Sequence, residues 1–158
     1  MDTTTILVKT VITAWDEQVK RASAFIDEKS DDVLVRQIAP GKNTGAYIIG
    51  HLIAVNDAML DLLGLGQKKY PELWDVYVAQ PYNEDVQIMP IGELRKLWKE
   101  THERIATILH DVPAEDWLKR HTKMTDEDLV ANPLRNRLSV FLSRTEHIAY
   151  HVGQLRLL

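Results

Sequence analysis

The chain has 158 residues, of which 27% are charged, and its 19 Lys and Arg against 23 Asp and Glu give a formal net charge of −4. This length is typical of one domain that buries its own core, and the acidic balance excludes the basic surface that marks nucleic-acid-binding proteins. The sequence contains no cysteine, which excludes disulfide bonds, thiolate metal ligands and a cysteine nucleophile.

The sequence also predicts a cytoplasmic protein that does not enter a membrane. Residues 1–5 lack the basic start and apolar run of a signal peptide. No uninterrupted apolar stretch approaches the ~18 residues of a membrane-spanning helix. The absence of disulfides is compatible with a reducing compartment.

Apolar periodicity predicts two long helices in the first part of the chain. The first covers residues 4–27, where apolar residues recur at three- and four-residue spacing. The second begins at Asn43 or Thr44, either of which can cap a helix, and ends at Gly64, which suits a left-handed stop. His51 lies on the apolar face of this helix, a position more typical of a satisfied core histidine than of a ligand.

The longest connection, residues 64–90, follows the second helix and is predicted to contain a short helix at residues 71–77. Long connections in compact domains usually have a function. Trp74, Tyr77 and Tyr82 either line the mouth of a pocket or seal the end of the fold.

The third helix is predicted from Ile91 to His110. A second irregular segment, residues 111–133, follows it, with a short helix near residues 113–118 and a helical turn capped by Thr125. His102, His110 and His121 have no partner at ligand spacing, so we interpret them as structural or solvated.

The fourth helix is predicted to begin near Pro133 or Leu134 and to run to the terminus. It contains His147 and His151, which are four residues apart and therefore lie one turn apart on one face, with Cβ atoms ~6 Å from each other. Together with His51 they would offer three neutral nitrogens from two helices. Three ligands leave a coordination position open for water or substrate, as in catalytic or ligand-binding metal sites.

The fourth helix has an unusually wide apolar surface. Its apolar residues and its histidines together cover about twice the ~100° sector that one core face needs. The sequence therefore predicts that this helix meets two environments. One would be the interior with its metal, and the other a second subunit.

Two segments resemble the signatures of the DinB-like family, which includes the YfiT-type metal-dependent hydrolases. They are His51-Leu52 in the second helix and His147-x-x-x-His151-x-Gly-Gln-Leu in the last. The resemblance implies an all-α, four-helix bundle in up-down order, with a long connection between helices two and three, as one domain over residues 1–158. It also implies a homodimer and a three-histidine metal site. One departure is residues 41–45, where relatives often carry an aromatic residue. The helical pattern is still running at Leu158, so the chain is either short or trimmed.

The resemblance and the chemistry of imidazole together imply a divalent metal cofactor, Zn or Ni first and Mn or Fe next. Relatives look like hydrolases, which activate water, or transferases of small thiols, so a small-molecule substrate is expected. Arg144 is a candidate for holding a substrate anion, and Gln154 for contacting a metal-bound ligand or acting as a second-sphere residue. Exposed polar side chains are the plain alternative for both. Glu146 and Asp57 are poorly placed to help.

No other catalytic constellation is found. The three residues between His147 and His151 are Ile148, Ala149 and Tyr150, so the glutamate base of an H-E-x-x-H metalloprotease is missing. Tyr150 is predicted to point outward. Two further interpretations therefore stay open beside the enzyme: a non-catalytic bundle that binds metal or a small molecule, and a structural or interaction bundle whose histidines satisfy the core.

Overall fold

Helices alone make up the regular structure of the computed structural model, which describes all of residues 1–158 and contains no β-strand. The prediction of an all-α fold is confirmed. The up-down order of the four long helices and the single-domain boundary stay predictions. The helices are α1 (Thr3–Glu28), α2 (Asp31–Leu34), α3 (Gly45–Leu63), α4 (Leu73–Tyr77), α5 (Ile91–His110), a 3₁₀ helix (Ala114–Leu118), α6 (Asp126–Ala131) and α7 (Arg137–Leu155).

The four long helices form a ring in which α1 and α3 each pack against both α5 and α7. The centre of the ring is apolar and aromatic. Trp15 of α1 lies 5.1 Å from Phe141 of α7 between ring centroids, and Trp117 of the 3₁₀ helix covers the other side of Phe141 at 4.9 Å. These rings join α1, α7 and the 3₁₀ helix, while α3 packs directly against α7, which is what the candidate site requires.

The ends of the long helices follow local capping chemistry. The Thr44 hydroxyl accepts a hydrogen bond from the Tyr47 N–H, and Gly64 ends α3 in the left-handed region with φ 69°, as predicted. The predicted start of α7 near residue 133 is wrong by a few residues. Asn136 is the cap, because its Oδ1 accepts from the Ser139 N–H at 3.0 Å, and α7 ends at Leu155 before the terminus.

Helix α3 is the most buried element, with 15 of its 19 residues buried. By length and composition alone it meets the criteria for a membrane span, contrary to the expectation from the sequence, but 78% of the apolar window lies inside the protein. Burial of most of its surface explains its apolar character, since a helix largely surrounded by other elements has little room for a polar face.

The long connection is anchored to the body of the protein by Asp57 of α3. Asp57 Oδ2 accepts hydrogen bonds from the main-chain N–H groups of Lys69 and Tyr70, and Oδ1 pairs with Arg104 of α5 at 3.0 Å. The carboxylate is almost fully buried. Asp57 therefore has a structural role, consistent with its poor placement for helping a metal site.

The aromatic residues of the long connection divide between the two roles considered for them. Tyr77 is fully buried and Tyr82 packs edge-on against Tyr47, so both seal the fold. Trp74 is 39% exposed and lines a groove on the surface.

The remaining histidines lie outside the candidate site, as predicted. His102 is buried beside Trp98, where its Nδ1 donates to the Trp98 carbonyl and its Nε2 accepts from Asn56. His121 is buried in the second irregular segment, and His110 is exposed near Asp16.

Candidate metal centre

His51 is held by the main chain of the long connection. Its Nδ1 lies 2.8 Å from the carbonyl oxygen of Tyr77. A carbonyl oxygen only accepts, so Nδ1 must carry the proton and donate it. In the neutral ring the lone pair is then on Nε2, which faces α7.

The contact between His51 and Tyr77 depends on the absence of a side chain at the preceding residue. A Cβ atom at Gly50 would lie less than 3.0 Å from three atoms of the Tyr77 ring. The glycine therefore lets the α4 segment lie directly on α3, which puts the Tyr77 carbonyl within reach of His51.

Three ring nitrogens converge between α3 and α7. The Nε2 atom of His147 lies 3.2 Å from Nε2 of His51 and 3.0 Å from Nε2 of His151. Two nitrogens that each bind one ion at about 2.0–2.1 Å are separated by about 2.9 Å at a right angle and about 3.3 Å at the tetrahedral angle. The measured separations fit ligands of one ion and are compatible with either geometry.

His151 has a hydrogen-bond partner of the kind that orients metal-binding histidines. Its Nδ1 lies 2.7 Å from Oε1 of Gln154, and Nε2 of Gln154 donates to the hydroxyl of Tyr150 at 3.1 Å. Gln154 thus contacts a candidate ligand itself. Tyr150 has a largely exposed ring, as predicted, but its hydroxyl belongs to this hydrogen-bonded chain. Such partners fix the tautomer and orientation of the ring.

His147 differs from the other two, because its Nδ1 is buried and has no hydrogen-bond partner. Its Nε2 faces the lone pairs of His51 and His151. Without an ion, the Nε2–H of His147 can serve only one lone pair well and leaves the other poorly satisfied. A cation at the convergence point would satisfy all three Nε2 atoms, so the donor set fits a divalent metal.

The three rings are neutral near pH 7. Burial lowers the pKa of His147 to about 4, with the neighbouring His151, His51 and Arg144 lowering it further. Burial and the proximity of His51 lower the pKa of His151 to about 4, against a raising effect of Gln154. Burial is also the main cause of the lowered pKa of His51. Neutral imidazole is the form that binds metals.

Arg144 lies one turn before His147 and is half-buried. Its positive charge is a minor cause of the lowered pKa of both His51 and His147. Its Nε is buried without a hydrogen-bond partner. Arg144 thus borders the candidate site, and Glu146 does not join the histidine cluster.

Two contributors to the site were missed by the sequence-based reasoning, and one of them had a detectable signal. The Tyr77 carbonyl is a main-chain group, which residue identity does not reveal. Gly50, in contrast, is a glycine inside a helix directly before the candidate ligand His51. A glycine there costs about 1 kcal/mol of helix stability relative to alanine, which indicates a close approach by another segment.

Fold and site together define a helical protein with a three-histidine cluster that can hold a divalent metal ion between two of its long helices. Residues 14–155 match the sequence model of the DinB superfamily. The match covers most of the chain, and the protein belongs to the DinB superfamily. No curated protein matches the chain at a significant level.

Proposed function

We propose that this protein is a divalent-metal-dependent enzyme that activates a small molecule at the three-histidine centre. The convergence of the Nε2 atoms of His51, His147 and His151 carries the proposal, and membership of the DinB superfamily is compatible with it. Zn or Ni is the expected ion, with Fe or Mn as alternatives. When bound, the ion would supply Lewis acidity, which lowers the pKa of a coordinated water or thiol.

The chain's own residues would hold and orient the ligands. The Tyr77 carbonyl fixes the proton of His51 on Nδ1, and Gln154 does the same for His151. Both interactions direct an Nε2 lone pair toward the convergence point. The rings need not lose a proton near neutral pH, since burial already keeps them neutral.

The cluster consists of histidines and includes no carboxylate. The protein therefore offers no carboxylate base within the cluster to take a proton from the substrate. A free thiol has a pKa of about 8.5, whereas the pKa of bulk water is far higher, so a thiol needs much less help to ionise. For this reason we favour transfer of a small thiol over hydrolysis as the reaction.

The first test is the metal content of protein purified without a metal column, measured by elemental analysis. We expect about one ion per chain in the wild type and a loss of that ion in His51→Ala and His147→Ala. His110→Ala is the matched control, because His110 is an exposed histidine on α5, and it should keep the ion. Absence of metal after incubation with zinc, nickel, manganese and iron under reducing conditions would refute the metal centre.

The second test separates an enzyme from a binding module. Metal-loaded protein is assayed for conjugation of a small thiol to a chromogenic electrophile and for hydrolysis of an amide, before and after chelation. Turnover that is lost on chelation and restored by the metal supports an enzyme. A protein that keeps its ion but turns over neither substrate class would indicate the non-catalytic alternative.

We also propose that the protein forms a homodimer through the outer face of α7. Leu142 and Tyr150 are 43% and 63% exposed, and they lie two turns apart on one face of the helix. Sedimentation should give twice the monomer mass for the wild type and the monomer mass for Leu142→Glu. A wild type that sediments as a monomer at high micromolar concentration would refute the dimer.

A further inference from the structure

A groove of about 350 Å³ lies between α3, the long connection and α7. Two of its lining residues lie one helical turn from the histidine cluster, since Val55 follows His51 by one turn and Arg144 precedes His147 by one turn. Five of its nine lining residues are hydrophobic. The apolar lining consists of Val55, Ala58, Met59, Leu62 and Trp74.

Arg144 reaches this groove as a charge without a partner. Its Nε–H is buried and donates to no acceptor, and no carboxylate lies within ion-pairing distance of the guanidinium. Burial lowers the pKa of the guanidinium, which reflects the same loss of solvation. A partly buried charge without a partner is unfavourable for folding. An anion bound from solution would supply the partner that the guanidinium lacks.

Two further cations surround the same groove. Lys68 and Lys123 line it, and neither forms an ion pair with a carboxylate. The Lys68 Nζ lies 5.9 Å from the centroid of the Trp74 ring. Asp61 is the one acid among the lining residues. The groove is thus locally cationic in a protein whose net charge is −4, and it would attract anions.

We propose that this groove binds a small amphipathic anion, with its carboxylate or phosphate on Arg144 and its apolar body against Met59, Leu62 and Trp74. Lys68 and Lys123 would attract the anion from the rim. Binding there would place the molecule about one helical turn from His51 and His147. The inference that this molecule is the substrate rests on the proposed function, whereas the binding itself does not.

The test uses calorimetry on chelator-treated, full-length protein, so that the probes cannot bind through a metal. The probes are hexanoate, hexyl phosphate, hexan-1-ol and hexylamine, which share one apolar body. We expect at least one of the two anions to bind tenfold or more tightly than the alcohol or the amine, because charge-assisted hydrogen bonds are the strong ones. Hexanoate and hexyl phosphate tell a carboxylate site from a phosphate site.

Arg144→Gln should remove the preference for the anion, and Lys20→Gln, which changes an exposed lysine of α1, should leave it unchanged. Arg144→Gln should fold normally, since it removes an unpaired, half-buried charge, and thermal unfolding checks this. If it does not fold, Lys123→Gln, on the exposed rim, should still weaken anion binding several-fold.

Equal binding of anions and hexan-1-ol by the wild type would overturn the proposal, as would an anion preference that survives Arg144→Gln. The metal content of Arg144→Gln distinguishes this proposal from the metal centre. We expect it to equal that of the wild type, because Arg144 is not a ligand. Anion binding in a protein that takes up no metal would refute the centre and leave the groove assignment standing.

Discussion

Replacement of Gly50 by alanine tests how the long connection supports His51. The added Cβ would lie less than 3.0 Å from three atoms of the Tyr77 ring. The ring cannot easily move away, because it is fully buried and its hydroxyl accepts a hydrogen bond from the Met89 N–H at 3.0 Å. The main chain of Tyr77 is also held, because His51 Nδ1 donates a hydrogen bond to its carbonyl oxygen.

Two opposing effects determine the stability of Gly50→Ala. Alanine in a helix interior is favoured over glycine by about 1 kcal/mol, whereas overpacking a dense core costs about 1–3 kcal/mol. With three ring atoms in conflict, the cost should lie in the upper part of that range. We therefore expect the free energy of unfolding to fall by about 1–2 kcal/mol. Displacement of the Tyr77 carbonyl should also weaken metal binding by about 10–100-fold.

Urea unfolding in the presence of a chelator measures the change in the free energy of unfolding. Metal competition titrations measure the change in metal affinity. Gly153→Ala is the matched control, since Gly153 is also a helical glycine and a Cβ there meets nothing within 4 Å. The control should be as stable as the wild type or more stable by up to about 1 kcal/mol. If Gly50→Ala gains stability to the same degree as the control and keeps its metal affinity, the reasoning is refuted.

Three further predictions concern other contacts of the site and its support. Gln154→Leu should bind metal about 10–100-fold more weakly through loss of the partner of His151, while Tyr150→Phe should bind nearly as the wild type does; equal affinities in a competition titration would contradict the role of the amide. Asp57→Ala should lower the free energy of unfolding by about 3 kcal/mol, as expected for breaking a buried ion pair, and should increase proteolysis at residues 64–72, so an unchanged urea midpoint would count against the anchor. Burial lowers the pKa of His102 from 6.5 to about 4, so between these pH values the unfolded state binds a proton that the folded state excludes. The contribution of this group to the free energy of unfolding should therefore be full above pH 6.5. It should decline toward pH 4 by at most about 1.4 kcal/mol per pH unit. His102→Gln should show a shallower decline in pH-dependent unfolding, and a parallel profile would contradict the assignment.

Local patterns in the sequence predicted the presence of all four long helices. Period and capping residues predicted α5 at Ile91–His110 and α3 from Asn43 or Thr44 to Gly64, and Thr44 is the cap. The predicted start of α7 was wrong. Proline is common at the first position of a helix, which favoured a start near Pro133, but Asn136 provides the capping side chain. These signals act within a few residues and can be read without knowledge of the fold.

The candidate site depended on long-range pairing, which is harder to predict. The four-residue spacing placed His147 and His151 on one face, but the approach of His51, 96 residues away from His147, was inferred from the family resemblance. The Tyr77 carbonyl was not predictable, because every residue carries one. Gln154 was predicted to lie near the site, and its actual contact with His151 required the rotamers of both side chains.

The hydrogen bond between His51 and Tyr77 also has a thermodynamic consequence for the long connection. The same imidazole that faces α7 through Nε2 contacts the end of α4 through Nδ1. Any ion that favours this ring orientation must therefore favour the docked form of the segment by the same free energy, since coupling between two equilibria is reciprocal. Opening of the segment would in turn weaken binding of the ion, so the affinity for the ion and the hydrogen-exchange protection of residues 73–77 should change together.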